Sequence, residues 1–182
     1  MIRYIYLLML LGAISTPAHA EIEKIAAPCE SGLCFYWWPK LQTVEGWHHD
    51  RDHSYYYGIN AQAPDGYTFA NAETVIYAKA LYKPRILETK SLEMLIKDDK
   101  EQFLARDPNI EISKVDGIST GDGQILISFT FFPKHQGNWE RVSYGEEGDF
   151  YLVFSISSRT KDGYTKALQI YSQFISHYKE KP

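Results

Sequence analysis

The chain has only two cysteines, Cys29 and Cys34, and no excess of positive charge: 19 basic residues stand against 23 acidic ones, a net charge of −4. Without a basic face there is no footprint for nucleic acid. No G-x-S-x-G occurs, so there is no nucleophile elbow. No G-x-x-x-x-G-K-[ST] occurs, so there is no P-loop. Gly121-Asp122-Gly123 reads as a turn, not as a dinucleotide loop, and the alternating oxygen ligands of a calcium loop are missing. There is no internal repeat and no low-complexity linker. Beyond the N-terminus no hydrophobic run reaches membrane-spanning length, so no span is expected after cleavage of the leader.

What is present begins with that leader. "MIRYIYLLMLLGAISTPAHA" has a positive Arg3, an apolar stretch from Ile5 to Leu11, and Ala18-His19-Ala20 at its end. This is the plan of a secretory signal peptide over residues 1–20, with the mature chain starting at Glu21 and reaching the periplasm or the exterior. Loss of Arg3 makes the mature chain one unit more negative. In an exported chain the close pair in "CESGLC" reads as a disulfide between Cys29 and Cys34, with Ser31-Gly32 making the reversal. Redox pairs usually enclose two residues, and this pair encloses four. Residues 21–34 then form an N-terminal segment with a short disulfide loop, and residues 35–182 one α+β domain.

Periodicity orders the domain. Cys34–Lys40 is aromatic and extended, and Ser54–Ala63 alternates as a strand up to the turn at Pro64-Asp65-Gly66. In Ala72–Tyr82, Ile76, Ala78, Ala80 and Tyr82 share one face, and Val75, Tyr77, Lys79 and Leu81 the other. The period then changes: Leu92, Leu95, Ile96 and Phe103 make a helical stripe, capped by Ser91 and stopped at Asp107-Pro108. Extended segments follow at Ile110–Val115, Gln124–Phe132, Trp139–Tyr144 and Phe150–Ser157. Tyr164, Leu168, Tyr171, Phe174, Ile175 and Tyr178 define a C-terminal amphipathic helix. The expected order is β-β-β-α-β-β-β-β-α, an antiparallel sheet flanked by two helices.

"GW" entering an early strand, "ETVIYAKALYKP" before a helix, "SLEMLIKDDKEQFL", and then a meander and a terminal helix together resemble the PsbP/Mog1/DcrB-like superfamily, over roughly Phe35 to Lys179. The resemblance implies an α/β/α sandwich whose members mostly bind other proteins. It carries no catalytic residue over, and neither "CESGLC" nor "HHDRDH" belongs to it.

"GWHHDRDHSYYYG" concentrates His48, His49, Asp50, Asp52 and His53 around Arg51. On a strand or a helical turn His49 and His53 can face the same way. Zinc needs a third ligand, and His135 is the candidate from elsewhere. Arg51 opposes a cation, so the segment reads first as a solvated loop or strand start, in which Asp50 and Asp52 either pair with Arg51 or keep His48, His49 or His53 partly protonated. Pro133–Gly137 reads as the connection of an edge hairpin, with Glu140 and Arg141 as ordinary strand charges. Phe35, Tyr36, Trp37, Trp38, Trp47, Tyr55, Tyr56 and Tyr57 are more aromatics than one buried sheet face absorbs.

These observations favour an exported accessory protein that binds another envelope protein, needs no cofactor and has no catalytic residue. The surface expected to carry contact comprises Trp37, Trp38, Trp47, His48, His49, Asp50, His53 and Tyr55. Two alternatives stand beside it: a periplasmic hydrolase with a metal or a His/Asp centre at His48, His49, Asp50 and His53, and an immunity protein that blocks a periplasmic toxin.

Overall fold

A computed structural model describes residues 21–30 and 32–179. The signal peptide expected over residues 1–20, and Ser31 of the expected reversal, lie outside the described residues. The first two strands, β1 (Glu21–Cys29) and β2 (Gly32–Lys40), form a hairpin in register from Glu21↔Lys40 to Cys29↔Gly32. The Cys29–Cys34 disulfide crosses its tip, with 5.8 Å between the Cα atoms. What reads in sequence as an N-terminal segment is thus a full strand, organised by its partner.

A short strand β3 (Trp47–His49), a helix α1 (Arg51–Tyr57) and a strand β4 (Asn60–Pro64) follow. The strand expected over Ser54–Ala63 is therefore half helix. Tyr55, Tyr56 and Tyr57 favour a strand by propensity, yet both ends of the segment are capped for helix. The Asp50 side chain accepts the His53 amide at the start. Gly58 closes the helix in the left-handed conformation (φ 66°), its amide bonded to the Ser54 carbonyl. Tertiary pinning outweighs the weak local preference.

The remaining elements match the periodicities: β5 (Thr74–Tyr82), a 3₁₀ turn at Lys83–Arg85, α2 (Leu92–Arg106), β6 (Glu111–Ser119), β7 (Ile125–Phe132), β8 (Trp139–Glu147), β9 (Phe150–Ser158) and α3 (Lys161–Ser176). Ser91 caps α2 and Thr160 caps α3. Among the described residues the strands make one sheet in the order β1-β2-β5-β9-β8-β7-β6, and all its pairings are antiparallel. With three helices beside this sheet the class is α+β. β8 lies between β9 and β7, so Glu140 and Arg141 are on an interior strand and not on an edge hairpin.

Two apolar layers sandwich the sheet. Ile76, Ala78 and Ala80 of β5 and Leu152, Phe154 and Ile156 of β9 pack with Tyr164, Ala167, Tyr171, Phe174 and Ile175 of α3. Each fully buried Ile, Leu or Phe of this layer contributes about 1.5–3 kcal/mol. Leu168, on the expected inner stripe, is only partly buried. On the opposite face Leu92, Ile96 and Phe103 of α2 cover Phe129, Phe131, Val142, Tyr144 and Val153.

One irregularity positions the site. β5 pairs with β9 along its whole length, but its other edge is divided. β4 takes Ile76–Ala78, and the ladder between β2 and β5 has the single pair Trp37↔Ala80. The β3–α1–β4 unit thereby sits at one end of the sheet. On the α2 side that end has no helix over it, because Asp107-Pro108 stops α2 after Arg106.

Candidate functional site

The histidine-rich segment turns a corner. His48 and His49 end β3, Asp50 is the cap residue, and His53 lies in the first turn of α1. Asp50 is 8% exposed. Its Oδ1 accepts the His53 amide at 3.2 Å and its Oδ2 the Phe69 amide at 2.8 Å, while His53 Nδ1 lies 2.8 Å from Oδ2. Burial pushes the Asp50 pKa up, but the bonds from the Phe69 amide and from His53 outweigh it and hold the carboxyl below its ordinary range.

His49 faces the other way. Its Nε2 is 2.8 Å from Oγ of Ser54, a fully buried residue. That hydroxyl donates to the Asp50 carbonyl (2.8 Å) and accepts the Ala61 amide (2.9 Å). Its one proton is thereby used, so His49 Nε2 carries the hydrogen that reaches it. Burial, followed by the Arg51 charge, lowers the His49 pKa. At His49 the raising pulls of Glu23 and Asp50 are weaker than burial. Ser54 and His49 hold α1 against β4 and form no nucleophile–base pair open to a substrate.

The other expected residues disperse. Trp38 is a core residue, 2% exposed, set edge-on to Tyr55 at 6.0 Å. A residue so buried offers no contact surface. Trp37 stacks on Tyr82 at 5.2 Å, partly buried on the α3 side. Trp47 lines a cleft of about 590 Å³ with Tyr67, Glu73, Arg159 and residues of α3. His48 Nδ1 lies 3.5 Å from the exposed Asp65 carboxylate. His135 is exposed on the β7–β8 connection. Among the described residues no three His, Cys, Asp or Glu side chains are grouped so as to hold a metal ion.

Two features do converge. The first is an aromatic ridge on α1: Tyr55, Tyr56 and Tyr57 are 39%, 78% and 50% exposed. Tyr56 and Tyr57 meet edge to face at 4.8 Å, and Tyr57 also touches the rings of His53 and Phe69. The second is the end of the sheet that α2 leaves open. There a hollow of about 480 Å³ has Val75 and Tyr77 of β5, Glu140 of β8 and Ser157 of β9 in its lining, with Tyr57 and Phe69 on one side and Arg106, Asn138 and Arg159 on the others. Register makes Glu140 and Ser157 cross-strand partners, and Asn138 donates to Ser157 Oγ at 3.0 Å. Burial drives the Glu140 carboxyl up to about 7, although Arg106 and the Ser157 hydroxyl favour its ionised form. Burial also raises the Tyr77 phenol.

Glu140 in sequence is an ordinary strand charge. Its neighbours Phe69, Arg106 and Arg159 come from three separate segments, and no spacing in the chain announces them. No family model matches the chain, and a search of the curated proteins finds no match.

Proposed function

We propose that the protein is an exported, non-catalytic accessory protein of the PsbP/Mog1/DcrB-like type, which binds another envelope protein through the α1 ridge. The observation that carries this reading is the ridge itself: three successive tyrosines are exposed on a short helix held at both ends. Asp50, Ser54 and Gly58 fix the helix, so the phenol rings meet a partner with little ordering cost. Tyrosine supplies large contact area with few rotatable bonds and is enriched where binding energy concentrates. The disulfide is compatible with export. A helix on each face of an antiparallel sheet, with a meander leading into the C-terminal helix, is in keeping with the superfamily resemblance.

The test is affinity capture from the source organism's own envelope extract, with wild-type mature chain and a Tyr56→Ala variant side by side. Tyr56 is the most exposed ring of the ridge, and its removal leaves the caps of α1 intact. The proposal expects a partner retained by wild type and depleted at least tenfold with the variant. Equal retention by both overturns it.

A further inference from the structure

The hollow beside Tyr57 is chemically unlike the α1 ridge. One side is aromatic: Phe69 lies 5.8 Å from the Tyr57 ring and 6.0 Å, edge-on, from Tyr77. The polar side has Arg106, Arg159, Glu73, Asn138, Ser157 and Glu140. A second hollow of about 320 Å³ shares Arg106, Asn138 and Glu140 and reaches Asp107 and Gln136. Together they offer flat apolar surface next to two guanidinium groups.

We propose that this hollow binds an aromatic carboxylate, its ring against Tyr57 and Phe69 and its carboxylate at Arg106 and Arg159. The guanidinium is the side chain best suited to a carboxylate, because its planar fork donates two parallel hydrogen bonds. Arg159 spends one nitrogen on the Ala70 carbonyl at 2.6 Å. Arg106 bonds the Gln102 carbonyl at 3.3 Å through Nε and stacks over Phe103 at 4.4 Å. Further N–H donors remain on each group. Arg106 and Arg159 outnumber the Glu73 carboxylate as long as Glu140 keeps its proton, so the charge favours an anion.

Glu140 sets the pH range. When protonated it can donate to the ligand; when ionised it repels the same anion. The groups facing it are Arg106 and Asp99 on α2, Tyr77 on β5, Ser157 on β9, and Asn138, Arg159 and Glu73 on the flanking segments. His53 stands behind the aromatic wall, stacked on Tyr57 at 6.2 Å. Burial is the largest influence on Glu140 and holds its proton to about pH 7. Ligand affinity therefore falls as pH rises through neutrality.

The test is an NMR titration of the mature, disulfide-bonded protein with benzoate, with benzamidine as a cation of the same shape and inorganic phosphate as an anion without a ring. The expected result is benzoate-dependent shifts at the Phe69, Val75, Tyr77 and Ser157 amides, with weaker responses to both comparison probes. Affinity should drop at least tenfold in Arg106→Ala and fall about tenfold from pH 6 to pH 8 in wild type. Glu140→Gln should lose that pH dependence while keeping the wild-type spectrum, which also separates Glu140 from His53. A free acid and a peptide C-terminus share this chemistry; comparing benzoate with N-acetyl-alanyl-phenylalanine identifies the source by the tighter binder. The proposal is overturned if benzamidine binds as well as benzoate, if Arg106→Ala leaves affinity unchanged, or if Glu140→Gln keeps the wild-type pH profile. Tyr56 does not line the hollow, so Tyr56→Ala leaves benzoate binding intact whether or not the ridge binds a protein.

Discussion

Asp50→Ala removes more than a helix cap. The carboxylate accepts the His53 amide at the start of α1 and the Phe69 amide from the segment that walls the hollow. Loss of the cap costs about 1 kcal/mol. A Phe69 amide left without its charged acceptor costs about 1–3 kcal/mol more. The variant should therefore lose about 2–4 kcal/mol at pH 7, measured by urea denaturation. Asp50→Asn keeps an acceptor oxygen for the cap and should lose about half as much. The pH dependence has a defined direction. An unfolded aspartate takes up its proton near pH 3.9. The folded carboxyl has a lowered pKa and resists protonation there. The unfolded state thus binds more protons in this window, and the stability that Asp50 contributes is full above about pH 5 and is lost as pH falls through the folded pKa. The gap between wild type and Asp50→Ala should accordingly narrow below about pH 4. A gap under about 0.5 kcal/mol at pH 7, or one that stays constant down to pH 3, would refute the double role of this carboxylate.

Gly58→Ala should cost about 2–4 kcal/mol, because the residue has φ 66° and an added Cβ would meet the Tyr36 ring at 2.2–2.6 Å; thermal melts of variant and parent check this. Glu140→Gln should gain stability over wild type as pH rises from 5 to 8, by on the order of 1–3 kcal/mol. The raised carboxyl favours folding below its unfolded pKa, and that contribution fades as pH climbs toward 7; denaturation at several pH values reads it. Reduction of the Cys29–Cys34 bridge should add two hydrogens to the intact mass and cost about 2 kcal/mol, the figure for so short a closed loop.

The sequence made some elements plain and hid others for physical reasons. β5 is legible because its two faces bury different layers, so Ile76, Ala78 and Ala80 alternate against Val75, Tyr77 and Leu81. The long helices announce themselves through caps and stops, Ser91 and Asp107-Pro108 for α2. α1 is obscured because its seven residues are too few for a 3.6-residue period and its tyrosines favour strands. The punctuation, Asp50 before it and Gly58 after it, was the available signal. β1 has mixed composition and becomes a strand through its pairing with β2. The ridge was partly visible as a cluster of aromatics, but burial alone separates Tyr56 from Trp38. Glu140 was visible only as a charge, since its pKa depends on what the fold brings against β8.

Site-specific photo-cross-linking in intact cells tests the central claim most directly. A photoreactive amino acid replaces Tyr56 on the ridge in one strain and Lys97, exposed on α2, in another. The account predicts a discrete adduct with one envelope protein from position 56 and none from position 97. No adduct from position 56, or the same adduct from both positions, would contradict it.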